Sequence, residues 1–414
     1  RYWTRTFGER GRQAFGYLPD TFGFPATLPG IMRACGLDAF ITNKLSWNTI
    51  TTFPHTHFVW RGLDGSEVVA HCTPGGDYNA SQTPKELRKG EANHRTHPAE
   101  GPAVFLQPFG FGDGGGGPTD WSIRNTQLAA DCDGLPKCRL ARTDEFLDVL
   151  REQAESGAMP IWDGELYLEL HRGTLTTQSW LKTANRRAEH ALALAEVMTF
   201  AGPESVGPEA ATKAMAHLDR AWKLTLLNQF HDILPGSSIP EVYDDARREH
   251  EEVATLTDRL IGKAMKRWSK AFDTTDAVEP ALVINPAPVE RSGVVDVETE
   301  EGPRLKFVKH APAWGGKVID LAAASGCVPV TVAMTGSGDD RRCALSNGVI
   351  ETVVDARGRV LSLARIGGRD AVAEDAAEEG MNVLALYTDR PHARGARDID
   401  PGYEASGRVL SDVC

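Results

Sequence analysis

Four short stretches carry residue types that could do chemistry. The first is Tyr17-Leu18-Pro19-Asp20-Thr21-Phe22-Gly23. An Asp between a proline and a Phe-Gly turn, at the end of a strand, can be held rigidly as a nucleophile or a metal ligand. An Asp in a Pro/Gly loop is also an ordinary turn or cap residue. The second is Gly112-Asp113-Gly114-Gly115-Gly116-Gly117-Pro118-Thr119. Four consecutive glycines let backbone approach a ligand closely, and Asp113 stands at the mouth of that loop. A flexible linker is the alternative, but the apolar run from Phe105 to Phe111 favours an ordered site. A phosphate loop is disfavoured, because GxxxxGK[ST] is missing and a carboxylate would repel phosphates. The third stretch, Asn228 to Ser238, contains His231-Asp232 between two helical segments, where His can meet a metal or a sugar hydroxyl or simply cap a helix. The fourth, Glu165 to Thr174, ends in a His171-Arg172-Gly173 corner and serves equally well as a joint between domains.

Two further histidine patterns carry less. His55 and His57 would share one face of a strand and could bind a metal, but no third ligand lies nearby in sequence. His217-Leu218-Asp219 falls in the middle of a helix, where positions i and i+2 do not face one point.

The elements that must position these residues divide the chain in three. Residues 1 to about 160 alternate short apolar strands with helical stretches. Leu37–Ile41, Val68–His71 and Ala103–Leu106 read as strands, the last of them buried, and Glu145–Gln153 reads as a helix. That alternation predicts an α/β fold with a largely parallel sheet, with its functional residues on loops after strand ends. From about 175 to 270 strand patterns vanish. Segments 178–200, 210–228 and 240–268 read as three helices packed as a bundle, with Val253, Leu256, Leu260, Ala264 and Trp268 along one face. Pro240 suits a first helical turn, and Ser238 is a candidate cap. From about 280 the pattern turns to antiparallel β. Val349–Val354 and Arg359–Leu363 flank Asp355-Ala356-Arg357-Gly358 as a hairpin.

Bulk properties exclude several classes. The chain has 414 residues, 41% hydrophobic and 25% charged, with a formal net charge of -12. That balance argues against a general nucleic-acid binder, whose surface needs clustered Lys and Arg. No run of 18 apolar residues predicts a membrane span. Seven scattered cysteines without a CxxC fit reduced thiols in a cytoplasmic protein better than a disulfide framework or a Cys-based zinc site. The ends, Arg1-Tyr2-Trp3-Thr4 and Ser411-Asp412-Val413-Cys414, read as cuts inside a longer gene product.

Taken in order, the motifs resemble glycoside hydrolase family 38, the α-mannosidases. The resemblance runs through YLPDTFGFPATLPGI at 17–31, NKLSWN at 43–48, FPHTHFVWRGLDGSEV at 53–68, GDGGGGPT at 112–119, GELYLELHRGTLTTQ at 164–178, LLNQFHDILPGSSIPEVY at 226–243 and VLALYTDRP at 383–391, before DID at 398–400. The GDGGGGPT and FHDILPGSS forms look like the bacterial, cytosolic and vacuolar branch. The resemblance implies an incomplete (β/α)7 barrel over 1–160, a three-helix middle domain over 161–272 and the start of an antiparallel β-sandwich over 273–414. It implies a retaining mechanism with one divalent metal per site, usually zinc, other divalent ions being acceptable. Asp20 would be nucleophile and metal ligand, His231 a metal ligand, and Asp113 the acid/base. Asp232, Lys44 and Tyr78 would lie against the sugar. The partner implied is an α-mannoside or oligosaccharide, with no nucleic acid and no membrane, and a homo-oligomer stays open.

The physical requirements agree with this cast. A retaining glycosidase needs two carboxyl groups about 5–5.5 Å apart, one to attack and one to protonate the leaving oxygen. Imidazole and carboxylate donors suit zinc. The sequence departs from the family pattern in one respect: the His-x-Asp strand that completes the metal shell is not found upstream of Asp20. The chain as given is therefore expected to bind metal weakly and to turn over little or no mannoside. Two rivals remain at this point, another metal-dependent sugar hydrolase or deacetylase on a related barrel, and an inactive carbohydrate-binding fragment.

Overall fold

A computed structural model describes residues 2–11, 14–95, 103–202, 206–324, 326, 328–372 and 379–410. The chain divides into two compact units, 1–172 and 173–414.

The first unit is built on a five-stranded sheet in the order β1-β2-β4-β3-β5. Its strands are β1 (Phe15–Tyr17), β2 (Ala39–Thr42), β3 (His57–Arg61), β4 (Glu67–Cys72) and β5 (Ile161–Asp163). Strands β1, β2 and β4 run parallel, β3 runs antiparallel to β4, and β5 runs parallel to β3. Three of the four pairings are parallel, so the sheet is largely parallel as expected; the one antiparallel pair is the β3–β4 hairpin, closed by residues 62–66. Every residue of β2, Ala-Phe-Ile-Thr, is buried, as expected of a central strand covered on both faces. One face carries Phe24, Phe40, Phe58, Trp60 and Leu166, the other Ile41, Leu147, Leu150 and Met159. Full burial of each such side chain is worth about 1.5–3 kcal/mol, so these two clusters anchor the strand ends from which the functional loops leave. Helices α1 (Tyr2–Phe7), α2 (Leu28–Ala34), α3 (Pro84–Arg95), α4 (Asp120–Leu128) and α5 (Thr143–Glu155) complete the unit. The Thr119 hydroxyl caps α4 by accepting from the Ser122 amide at 3.2 Å. Ala103–Leu106 is not a strand: Ala103 and Val104 are exposed, and the nearest pairing is an isolated bridge between Ala80 and Phe109. Among the described residues this apolar run forms no strand ladder, although Leu106 packs against the sheet core.

The second unit begins with the three predicted helices, α6 (Ser179–Phe200), α7 (Pro208–Asn228) and α8 (Pro240–Trp268). Leu192 and Ala195, Leu218 and Ala221, and Val253 and Leu260 meet in one core. At the far end the Trp268 indole and the Arg267 guanidinium donate to the Met198 carbonyl, satisfying acceptors at the end of α6. Pro240 opens α8 as expected, but Ser238 does not cap it; the capping position is Ile239, with no side-chain bond, and the Ser238 hydroxyl turns to the Asp232 carbonyl at 2.6 Å. His217 and Asp219 lie mid-helix in α7, and Asp219 pairs with Lys223 at 2.6 Å.

The rest of the unit is antiparallel β. Strands β6 (Pro280–Asn285) and β9 (Gly315–Asp320) pair, as do β7 (Arg291–Thr299) and β8 (Gly302–Ala311). Strands β10 (Thr331–Thr335), β11 (Arg342–Ser346), β12 (Ile350–Asp355) and β13 (Val360–Arg365) form a four-stranded sheet in chain order, and the short β14 (Ala385–Leu386) pairs with β15 (Arg408–Val409). The β12–β13 hairpin matches the predicted one, with Gly358 at φ 76° in its turn. The Asp355 carboxylate holds that turn together, accepting from the Arg357 and Arg359 amides at 2.9 Å each and from the Arg359 guanidinium at 2.7 Å.

Candidate active site

In the first unit the candidate residues sit where parallel strands end. The Leu18 amide extends the β1–β2 ladder to the Ile41 carbonyl, so Pro19-Asp20 leaves from the carboxyl end of β1. Lys44 follows the carboxyl end of β2, and Thr73 that of β4. Side chains tie these ends together: the Thr42 hydroxyl donates to the Leu18 carbonyl at 2.8 Å, and the Thr73 hydroxyl to Asn43 Oδ1 at 2.8 Å. This is the edge of an α/β sheet where ligands bind.

Asp20 and Lys44 meet directly. Lys44 Nζ lies 2.6 Å from Asp20 Oδ1, with the lysine side chain 2% exposed and the aspartate 16%. The ammonium also stands 4.1 Å from the Trp47 ring centroid and 5.3 Å from that of Phe22. A buried ammonium needs such compensation, because desolvation costs more than attraction to one partner returns unless further contacts help. Lys44 therefore contacts the Asp20 carboxylate directly.

Asp113 is held by a different route. The Tyr78 hydroxyl donates to Asp113 Oδ1 at 3.0 Å, and Asn79 Oδ1 accepts the Gly112 amide. The glycine loop is ordered: Phe111 and Gly116 exchange backbone bonds at 3.0 and 2.8 Å, and Gly115 turns at φ 66°. A Cβ on Gly112 would sit 2.1 Å from Asn79 Oδ1 and 2.7 Å from the Tyr78 ring, so this position requires glycine. Burial pushes the Tyr78 phenol above its ordinary range, and the hydrogen bond to Asp113 and the charges of Asp20, Asp113 and Asp77 push the same way. Tyr78 thus feels both candidate carboxylates at once. Asn79, Phe111, Gly112 and Asp113 line a cleft of about 250 Å³, and Tyr78 also lines a larger cavity of about 990 Å³ with Tyr17, Ile41 and Phe109.

His231 and Asp232 belong to the second unit. Their turn follows α7, with Ile233 and Leu234 bonded back to the Phe230 carbonyl, and Gly236 at φ 89° lies so close to Thr177 that a Cβ would be 2.6 Å from its carbonyl oxygen. His231 Nε2 is 3.7 Å from Asp232 Oδ2, and its ring lies against Phe230 with centroids 4.2 Å apart. Asp232 Oδ1 receives a guanidinium hydrogen bond from Arg397 at 2.8 Å. Sequence reasoning missed Arg397, Asn79 and Trp47. Arg397 immediately precedes the Asp398-Ile399-Asp400 stretch, but one arginine in an irregular segment carries no periodic signal.

The remaining histidines separate. His55 precedes β3, so it does not share a strand face with His57; its ring packs among Phe53, Phe58 and Trp162. His57 is buried beside His71 and His94. His171 is buried with φ 58° at its corner, its ring 4.8 Å from that of Phe22.

Among the described residues no group of three His, Cys, Asp or Glu side chains is arranged to hold a metal ion. Oδ1 of Asp20 already carries the Lys44 ammonium, and His231 lies in the other unit. Two donors fall short of the three that a catalytic zinc normally takes from its protein, so the described residues do not make up a metal centre.

Residues 1–165 match the glycosyl hydrolases family 38 N-terminal domain, and residues 169–268 the alpha mannosidase middle domain. The chain belongs to glycosyl hydrolase family 38. This family 38 chain is 34% identical to alpha-mannosidase 2C1 of Homo sapiens over 394 residues, covering 92% of the chain and 36% of that protein. It is 37% identical to alpha-mannosidase G of Dictyostelium discoideum over 274 residues, covering 64% of the chain and 24% of that protein. It spans about a third of the length of the curated mammalian relatives it matches. In structure it resembles a crystallographic α-mannosidase from Enterococcus faecalis V583, with a TM-score of 0.61 over 98% of the chain and 52% of that chain, at 16% identity. The last likeness speaks for the fold alone.

Proposed function

We propose that this family 38 chain supplies part of the catalytic apparatus of a retaining α-mannosidase that removes terminal α-D-mannosyl residues from oligosaccharides. The observation that carries the reading is the pairing of each candidate carboxylate with its own holder at one sheet edge, Asp20 with Lys44 and Asp113 with Tyr78. In this reading Asp20 attacks the anomeric carbon and forms a glycosyl ester. Asp113 first protonates the departing glycosidic oxygen, then takes a proton from the water that cleaves the ester. Lys44 orients Asp20 and Tyr78 orients Asp113, both within reach of sugar hydroxyls, and Asp232 contributes a further polar contact.

The five-stranded sheet is read as part of a (β/α)7 barrel and the C-terminal strands as the start of a β-sandwich, with domains at 1–160, 161–272 and 273–414. Family 38 α-mannosidases are generally metal-dependent, and zinc suits the oxygen and nitrogen donors of Asp20 and His231. Asp20 would be its donor from the first unit and His231 its donor from the second, and with two donors the chain is read as a weak zinc binder. A cytoplasmic location is proposed from the reduced-thiol composition and the named relatives; no helix among the described residues is long and apolar enough to cross a membrane.

The test is covalent labelling by a fluoro-mannoside inactivator, followed by peptide mapping, on the chain and on a version extended upstream. Labelling at Asp20, lost in Asp20→Asn, is the expected result in the extended protein. Labelling that persists at another carboxylate removes Asp20 from the role. The chain alone is expected to release little or no p-nitrophenol from p-nitrophenyl α-mannoside, and stoichiometric tight zinc in it would reveal a ligand not identified above.

A further inference from the structure

The end of α7 is held by polar side chains more than by burial. Its apolar residues Leu226 and Leu227, and Phe230 just beyond the helix, are each more than half exposed. Asn228, the last helical residue, is 1% exposed. Its Nδ2 donates to Glu249 Oε2 of α8 at 2.6 Å and to the Leu224 carbonyl at 2.9 Å. Gln229, the next residue, reaches α6 instead. Its Nε2 donates to Asn185 Oδ1 at 3.0 Å and to Glu189 Oε1 at 2.9 Å. Asn185 Nδ2 donates to the same Glu189 oxygen at 3.1 Å, and Arg186 holds the other at 2.5 Å. Hydrogen bonds to an ionised carboxylate are roughly twice as strong as neutral ones.

We propose that Asn185, Glu189 and Glu249 are positioning residues. Through Gln229 and Asn228 they fix the roll of α7, and so the direction of the His231–Asp232 pair, taken to face the ligand as in the function proposed above. The arrangement is a two-point grip. Successive residues of a helix point about 100° apart, so Asn228 and Gln229 meet two different helices from two sides of one axis. A single contact would let the helix end turn about it; two contacts so spaced oppose both roll and slide. The grip ends two residues before His231, a span of at most about 7 Å. The backbone between is tightly turned. The Gln229 amide is shared between the Thr225 and Leu226 carbonyls at 3.2 and 3.3 Å, and the Phe230 amide donates to the Leu227 carbonyl at 3.1 Å. Helix ends fray when nothing outside the helix holds them.

Other bonds moor the far side of the turn. The Ser238 hydroxyl donates to the Asp232 carbonyl at 2.6 Å, the Ser238 amide to the Tyr243 hydroxyl at 2.7 Å, and Arg397 to Asp232 Oδ1 at 2.8 Å. All three act after His231 in the chain. They fix where the turn ends, and the grip on α7 fixes the angle at which it starts. Oδ1 of Asn228 is buried without a partner, an unfavourable state that the bond from its amide to Glu249 offsets.

The experiment uses the chain at neutral pH with no mannoside present. Gln229→Glu sets a second carboxylate against Glu189, where like charges repel. The opening constant of the Gln229 and Phe230 amides, read by hydrogen exchange, is expected to rise about tenfold or more. The His231 ring resonance should move with it, while the amides of Ala195 and Leu260 in the bundle core keep their protection. Adding Glu189→Gln to Gln229→Glu exchanges carboxylate and amide across the contact. The pair should bring exchange back to within about threefold of the parent and return the His231 resonance to its place. Glu249→Gln weakens the other arm, should raise exchange at the same two amides about threefold to tenfold, and decides the matter if Gln229→Glu fails to fold. Unchanged exchange at Gln229 and Phe230 overturns the proposal. So does a rise shared equally by Ala195 and Leu260, which is a loss of general stability, or a paired exchange that restores nothing. Neither readout involves a sugar, so failure here leaves the labelling of Asp20 untouched, and failure of that labelling leaves the grip standing.

Discussion

Replacing Lys44 by methionine should cost the first unit more than any exposed lysine in the chain could. The substitution keeps the length of the stem and removes the charge. It leaves the Asp20 carboxylate, 16% exposed, without the ammonium that now stands 2.6 Å away. Removing one partner of a buried pair typically costs 3–5 kcal/mol. Asp20 keeps some water contact and further interactions, so the lower end, about 3 kcal/mol, is the figure to expect. An exposed pair such as Lys213–Glu209, with side chains 71% and 84% exposed, sets the contrast and should be worth under about 1 kcal/mol. The assay is urea unfolding monitored by tryptophan fluorescence, since Trp47 stacks under the ammonium and Trp60 sits in the sheet core. A double-mutant cycle with Asp20→Asn isolates the pair. Coupling of about 2 kcal/mol or more is expected, because the neutral amide no longer needs the ammonium. Additive costs, or a Lys44→Met penalty below about 1 kcal/mol, would refute the view that Lys44 exists to hold Asp20.

Three other perturbations follow from the same geometry. Spectrophotometric titration should find a late phenolic component to which Tyr78, held up by burial and by the Asp113 bond, and Tyr17, held up by burial, both contribute; Tyr78→Phe should shrink that component, and a late component unchanged in the variant would contradict the burial and the Asp113 bond. Gly112→Ala should destabilise the glycine loop by about 1–3 kcal/mol, because its Cβ would fall on Asn79 Oδ1 and the Tyr78 ring; thermal unfolding no different from that of Gly117→Ala, where no atom lies within 4 Å, would count against it. Asp355→Asn should cost about 2 kcal/mol at neutral pH, since burial of this carboxyl is outweighed by the Arg359 and Arg357 bonds that lower its pKa. A depressed carboxyl stabilises above its unfolded value of 3.8 and loses that contribution as pH falls through the folded one, so the stability gap between variant and parent should narrow as pH is lowered below 3.8.

The parts of this fold that were legible in the sequence are those fixed by local pattern. The bundle helices begin within two residues of where periodicity put them, because each carries one apolar stripe and polar residues elsewhere. The β12–β13 hairpin was readable because Asp355 and Gly358 are turn residues between a β-branched run, Ile350–Val354, and an apolar alternating one, Val360–Leu363. The candidate site residues that local motifs single out, Asp20 after Pro19 and Asp113 beside the glycines, are each found with a side-chain partner, Lys44 and Tyr78. What failed depended on partners distant in sequence. Ala103–Leu106 has the composition of a strand, but a strand forms only by pairing with a neighbour, and among the described residues this segment makes no such ladder. Ser238 has the chemistry of a cap, yet its hydroxyl found the Asp232 carbonyl first.

The same distinction explains why the histidines misled. His55 and His57, two apart, suggested one shared face, and that inference assumed a strand already running at His55. It begins at His57. The true neighbours of His57 are 14 and 37 residues away, His71 across the hairpin and His94 on a helix. Register, not spacing, put them together. A cluster assembled by register is invisible to any scan for short motifs. It is nevertheless constrained by the fold: a one-residue slip of β3 against β4 would send His57 to the opposite face of the sheet from His71. The cluster and the core of Trp60, Phe58 and Phe40 are therefore set by one and the same pairing.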